Sequence, residues 1–251
     1  MDQITFQLPP GYSSLTALDR NRHAGLAALP DHNHLWCSKL NSIFLNVMEL
    51  ARACANYPIA FVREKNSGEY LPVALLGLRG GDNLFVDGTG QWLPHSYVPA
   101  YVRRHPFCII EVPTPEGGEP QRLIAVQEDQ LAPSATPYFD AKGEATPDWT
   151  PVKDLIEAAE GARQRTRAFT HRLEAFDLFE PFDALALPKG GGQQMRLLGL
   201  HRVNEEKLNA LGTQEQKLLM RKGEMRAVYA HLLSLENFAR LLDMTAEADG
   251  R

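Results

Sequence analysis

Between residues 83 and 107 the chain gathers the side chains best suited to molecular recognition: Trp92, His95, Tyr97, Tyr101, Arg103, Arg104 and Phe107. Aromatic rings supply contact area at small entropic cost, and the guanidinium is a planar fork for a carboxylate or phosphate. The mixture reads in two ways. It is either a surface that binds an anion or a partner, or a core in which rings pack and a buried Arg meets an acid. If Arg103 and Arg104 lie on one short strand, their side chains point to opposite faces. One then serves structure and the other recognition.

A second constellation could do acid–base or metal chemistry. Asp31, His32 and His34 crowd one turn, and His23 and Glu49 could be borrowed by it. Their spacing matches no metal-ligand pattern, and Asp and His are ordinary residues of turns and caps, so neither a metal nor a cofactor is expected. Helical phasing puts Glu49 opposite the apolar face of its own segment, a solvated carboxylate beside Arg52 unless other chain covers it. The glycines at 77–81 and 190–192 form no phosphate-cradling motif. No Gly-x-Ser-x-Gly elbow occurs. Cys37, Cys54 and Cys108 stand apart among apolar neighbours and are expected to be reduced and structural.

The elements that must position these groups follow from periodicity and turn chemistry. A short strand at 4–8 ends at Pro9-Pro10-Gly11. Apolar residues at helical spacing, among them Trp36, Leu40, Ile43 and Val47, predict a helix over 35–56. Strands at 59–63 and 71–78 flank the turn Asn66-Ser67-Gly68. A further short strand at 83–86 precedes Asp87-Gly88-Thr89-Gly90. Strands at 107–112 and 123–127 flank Pro115-Glu116-Gly117-Gly118. The Pro-rich stretch 131–148 reads as a long loop or boundary. A long amphipathic helix then begins with Thr150 as its cap, its apolar seam interrupted by Thr166. A hairpin at 184–187 and 195–203 turns at 189–192. Helices at 205–211, 214–221 and 224–243 close the chain; the last docks on the body, and 245–251 frays. Grouped strands and helices give an α+β fold, mainly antiparallel. Residues 1–148 form a β-rich region with one helix, and 149–251 a helix-rich region with one hairpin, together a single domain.

With 251 residues the chain can bury a core without disulfide or metal. A net charge of -5 argues against nucleic acid, whose binders carry a basic footprint. No apolar run approaches the roughly 20 residues of a membrane span. The first residues lack a basic start followed by an apolar stretch, so a soluble, cytoplasmic protein is expected.

The stretch 83–107 also carries a resemblance. Asn83-Leu84-Phe85-Val86-Asp87, Gly90-Gln91-Trp92 and the run from Tyr97 to Phe107 resemble the SapC-like family. So do an early His23, Glu49 ahead of Tyr57-Pro58-Ile59-Ala60-Phe61, Leu197-Leu198-Gly199-Leu200, and the run from Tyr229 to Asn237. The family has an aromatic where this chain has His105. The resemblance spans nearly the whole chain and implies little biochemistry. Members resemble accessory proteins encoded beside flavin-dependent halogenase-like proteins and outer-membrane receptors, and a permease label carried by some cannot apply without a span. The expectation is an accessory binding protein serving a surface or uptake pathway. It would recognise a protein partner, such as a halogenase-like protein, or a small anionic ligand through Trp92, Tyr97, Arg103 and Arg104, with His23 and Glu49 as further site residues. The rival reading is a metal-dependent oxygenase or hydrolase using His23 and Glu49.

Overall fold

Gly68 takes φ +73°, the left-handed conformation that closes the turn at 66–68, and that turn sets the central hairpin. The structure, a computed structural model, describes residues 8–29, 33–112, 118, 120–186 and 195–250. In chain order it contains β1 (Thr16–Ala17), β2 (Leu26–Ala28), β3 (Ser42–Phe44), α1 (Leu50–Ala53), β4 (Ile59–Arg63), β5 (Tyr70–Leu75), α2 (Ala100–Arg103), β6 (Phe107–Val112), β7 (Gln121–Val126) and β8 (Leu131–Pro133). Then come α3 (Trp149–Ala175), β9 (Phe179–Ala186), β10 (Met195–Val203), α4 (Glu205–Asn209), α5 (Thr213–Arg221), α6 (Glu224–Ser234) and α7 (Asn237–Asp249).

Among the described residues all strand pairings are antiparallel. They build a sheet in the order β3-β5-β4-β10-β9, a smaller one in the order β1-β7-β6, and the pair β2-β8. The α+β class holds. The long helix α3 joins the two sheets. Its N-terminal residues Trp149 and Ile156 pack with Phe107, Val126 and Phe139 beside the small sheet. Further along, Phe169 and Leu173 enter the main core with Phe61.

Several elements differ from the sequence reading. The helix over 35–56 is instead a 3-10 turn at His34–Cys37, the strand β3, a second 3-10 turn at Val47–Glu49 and the single turn α1. Apolar spacing satisfied the helical pattern, but the backbone groups of Val73, Ala74 and Leu75 along β5 are met only if residues 42–44 run extended beside them. The stretch 83–86 forms no strand. It makes a single bridge, Val86 to Trp92, around a turn whose Asp87 Oδ1 accepts from the Thr89 and Gln91 amides. Residues 131–148 are no boundary, because β8 pairs with β2 and Phe139 is a core residue. Thr150 lies inside α3 rather than capping it. The terminal helix is two, α6 and α7. The second runs on to Asp249, whose carboxylate meets Arg79 at 2.6 Å. Thr245 is buried, and the helix continues past it rather than ending before residue 245. The docked face of α6 is Ala227, Val228, Ala230, His231 and Ser234, while Tyr229 is exposed. The strand at 4–7 and the turn residues 115–117 and 189–192 lie outside the described residues.

Thr166, which interrupts the apolar seam of α3, has a reason to be there. Its buried hydroxyl donates to the Ala162 carbonyl at 2.7 Å and accepts the Val47 amide at 2.8 Å. It thereby satisfies an amide that the broken backbone at 45–47 leaves over. Thr166→Val keeps the shape and strands that N–H, which should cost about 1–3 kcal/mol. Urea unfolding of the two proteins measures it. An unchanged midpoint would mean that water reaches Val47.

Candidate functional site

The site assembles around Glu49. Asn46 halts β3's extended run, and the chain turns so that the Glu49 side chain folds back beneath its own turn. The Glu49 amide donates to the Asn46 carbonyl at 2.8 Å, and among the described residues the Asn46 Oδ1 finds no partner. Glu49 is buried, which corrects the solvated carboxylate expected from helical phasing: the helix that supplied the phase does not exist. Its Oε2 accepts the Asn46 amide at 2.9 Å and Asn46 Nδ2 at 2.8 Å. Its Oε1 accepts the Tyr97 hydroxyl and the Ala100 amide, each at 2.7 Å. Four donors converge on the carboxylate and tie 46–49 to the start of α2. Such a carboxylate positions its neighbours.

Tyr97 carries that order outward. Its phenol is pushed up to about 12 by burial and by the adjacent Glu49 charge, with Arg103 pulling the other way. It therefore stays protonated and donates to Glu49. The Tyr97 amide donates to Asn56 Oδ1 at 2.9 Å, and its carbonyl accepts from the Tyr57 hydroxyl, which itself accepts from Trp92 Nε1 at 3.1 Å. Trp92 is thus a buried clamp packed on Phe85, and its indole N–H is used inside the protein. His34 meets its ring edge-on at 5.6 Å.

The two arginines part company, for a reason other than strand alternation. Residues 100–103 are the single helical turn α2, and Arg104 is its C-cap. Arg103 is exposed. Its guanidinium stands 5.9 Å over the Tyr97 ring, with Nε 3.1 Å from the Val98 carbonyl and Nη2 3.4 Å from the Tyr97 hydroxyl. Arg104 turns inward. It lies 4.9 Å over the Tyr101 ring and beside Tyr12, with its Nε buried and without a partner among the described residues. The surrounding hydroxyls bind backbone, Tyr12 to Phe107 O at 2.9 Å and Tyr101 to Pro10 O at 2.6 Å. His105 stacks on Trp36 at 4.1 Å. Of the sequence candidates, Trp92, Tyr97, Glu49 and Arg103 form one connected unit, and Arg104 belongs to a neighbouring structural cluster.

His23 sits elsewhere. It is buried in the turn before β2, with Nε2 2.9 Å from Glu128 Oε1 and Nδ1 2.8 Å from the Asp19 carbonyl. Among the described residues it shares no hydrogen-bond partner with Glu49. Asp31 and His32 lie outside the described residues. Among the described residues no group of three or more His, Cys, Asp and Glu is placed to hold a metal ion. Burial pushes the Cys37 thiol up to about 12 and the Cys108 thiol up to about 11, which leaves neither as a nucleophile at neutral pH. Among the described residues no helix is long and apolar enough to cross a membrane.

Comparison with known proteins adds one finding. The SapC family model matches residues 18–241. No curated protein and no solved structure matches the chain.

Proposed function

This chain belongs to the SapC family, and from that premise we propose an accessory binding protein that captures an acidic segment of a partner protein on the Tyr97–Arg103 face. The observation that carries the reading is Arg103, an exposed guanidinium laid over a ring that a buried carboxylate holds in place. An Arg fork already oriented loses less entropy when a carboxylate arrives, which favours binding. The remaining polar groups of the unit, Glu49, Tyr57 and Trp92, are engaged within the protein and support the platform. A cytoplasmic setting and service to a surface or uptake pathway belong to the same proposal. A flavin-dependent halogenase-like protein is the first partner to try.

The test separates the two arginines. Arg103→Ala should leave the thermal midpoint within about 2 °C, since exposed substitutions rarely exceed about 0.5 kcal/mol. Quantitative pull-down from the native cell should lose at least tenfold of one specific partner. Arg104→Lys keeps the charge but removes the fork from beneath Tyr12 and Tyr101; it should lower stability by about 1–2 kcal/mol and spare capture at a temperature where it is folded. Equal capture by wild type and Arg103→Ala sinks the reading.

A further inference from the structure

A separate cleft of about 240 Å³ opens between the small sheet and the start of α3. Its floor and walls are apolar, from Leu18, Ile124, Phe139 and Trp149, and three cations, Arg20, Arg122 and Lys153, line it with no acidic side chain. Four stretches of chain meet there. Leu18 follows β1 and is held by its amide to the Ile124 carbonyl at 2.8 Å. Arg122 and Ile124 share one face of β7 by strand alternation. Phe139 and Trp149 pack ring to ring at 5.2 Å, and Lys153 stands one turn further along α3.

The three cations are not equivalent. Arg122 is already paired, with Nη2 3.0 Å from Glu111 and Nη1 3.3 Å from the largely buried Glu160. It walls the cleft. Lys153 makes a 3.5 Å pair with Glu157 on the same helix, both side chains about half exposed, and such a pair is worth only a few tenths of a kcal/mol and is readily exchanged. Arg20 makes no side-chain ion pair among the described residues, and its neighbour Asp19 turns its carboxylate to the Asn21 and Arg22 amides instead. An unpaired guanidinium and an easily released ammonium therefore stand over an apolar, aromatic floor.

We propose that this cleft binds a small amphipathic carboxylate, with its head between Arg20 and Lys153 and its apolar body on Ile124 and Trp149. Burying the body and pairing the head use both halves of the lining. An inorganic anion leaves the floor wet, and a neutral hydrocarbon leaves Arg20 without a partner. The volume lies just below the usual range of small-molecule sites, about 300–1,000 Å³, and so limits the occupant to a small molecule. The site is independent of the Tyr97–Arg103 face.

Octanoate serves as the probe, with octanamide as its neutral isostere and inorganic phosphate as the head alone. Calorimetric titration of the full chain should give a saturable 1:1 isotherm with Kd below about 1 mM. Octanamide and phosphate should each bind at least tenfold more weakly. Arg20→Ala should weaken octanoate at least tenfold and leave the thermal midpoint unchanged. Trp149 emission should change on binding, and Trp149→Phe, which trims the apolar floor, should lose that signal and weaken the calorimetric binding of octanoate. Absence of saturable heat up to 5 mM, on the order of a fivefold excess over that Kd, overturns the proposal. So does equal binding of octanoate and octanamide, or equal binding by wild type and Arg20→Ala. None of these results bears on partner capture through Arg103.

Discussion

Glu49→Gln should lower stability by about 3 kcal/mol, although it changes one atom and keeps the volume. The carboxylate accepts four hydrogen bonds, two on each oxygen. A Gln side chain must put an NH₂ where one oxygen was. Placed at Oε1, it faces the Tyr97 hydroxyl, which can rotate and accept, and the Ala100 amide, which cannot. Placed at Oε2, it faces Asn46, whose side chain can flip its unpartnered Oδ1 inward, and the Asn46 amide, which again cannot turn. In either orientation one buried backbone N–H points at another donor, and the remaining bonds lose their charge assistance. Stranding a buried donor costs roughly 1–3 kcal/mol, and a hydrogen bond to a charged group is worth about 1.5–3 kcal/mol. For a chain of this size 3 kcal/mol is a fall of about 6–12 °C in thermal midpoint. Scanning calorimetry at pH 7.5 measures it. Because Tyr97 is the platform for Arg103, partner capture should weaken as well. Glu49→Asp should not rescue, since the shorter side chain cannot span from the Asn46 turn to α2. A Glu49→Gln protein that melts like wild type would mean that this carboxylate is solvated after all.

Which parts of this were legible in the sequence follows from the range of the forces involved. The hairpin of β4 and β5 was legible because a local turn, Asn66-Ser67-Gly68, sits between two apolar runs. The apolar face of α3 was legible from its three- and four-residue spacing, and Thr166 was visible as a break in it. The meaning of that break was not, since its partner Val47 is 119 residues away. Residues 35–56 were misread because helical spacing is a local property, whereas β3 exists to pair with β5. That error carried Glu49 with it and turned a buried organiser into a surface charge. The aromatic–Arg stretch was legible as a cluster of types. The division of labour between Arg103 and Arg104 depends on a single helical turn, too short to announce itself by periodicity. The cleft beside Trp149 draws on four segments, and no spacing in one dimension marks it.

Acid should unfold this protein earlier than its carboxylates alone would require, because of His231. The ring lies wholly buried under α6 and joins two strands of the large sheet. Its Nδ1 is 2.9 Å from the Ile59 carbonyl, so it carries the proton and donates. Its Nε2 accepts the Val203 amide at 3.1 Å. A second proton would have to enter at Nε2 and oppose that amide. Burial, with the nearby Arg202 charge acting the same way, pushes the pKa down from 6.5 to about 4. The unfolded chain therefore binds the proton first. Stability from this group is complete above about pH 6.5 and is lost as pH falls toward 4, at about 1.4 kcal/mol per pH unit and about 3 kcal/mol in all. His105, stacked on Trp36, is held down to about 4 by burial as well and steepens the same window. The carboxylates held low by their partners, Asp19, Asp87, Glu180 and Asp249, lose their contributions only in more acid solution, below the ordinary carboxylate range. Urea midpoints between pH 7.5 and 4.5 should thus fall steeply while the carboxylates are still ionised. His231→Phe removes the titration. That variant should be less stable at pH 7.5, where it strands the Val203 amide, and its stability should fall with a slope smaller by about one proton. A wild-type midpoint that stays flat across the window, or a variant with the wild-type slope, would show that His231 is not the neutral link between Ile59 and Val203.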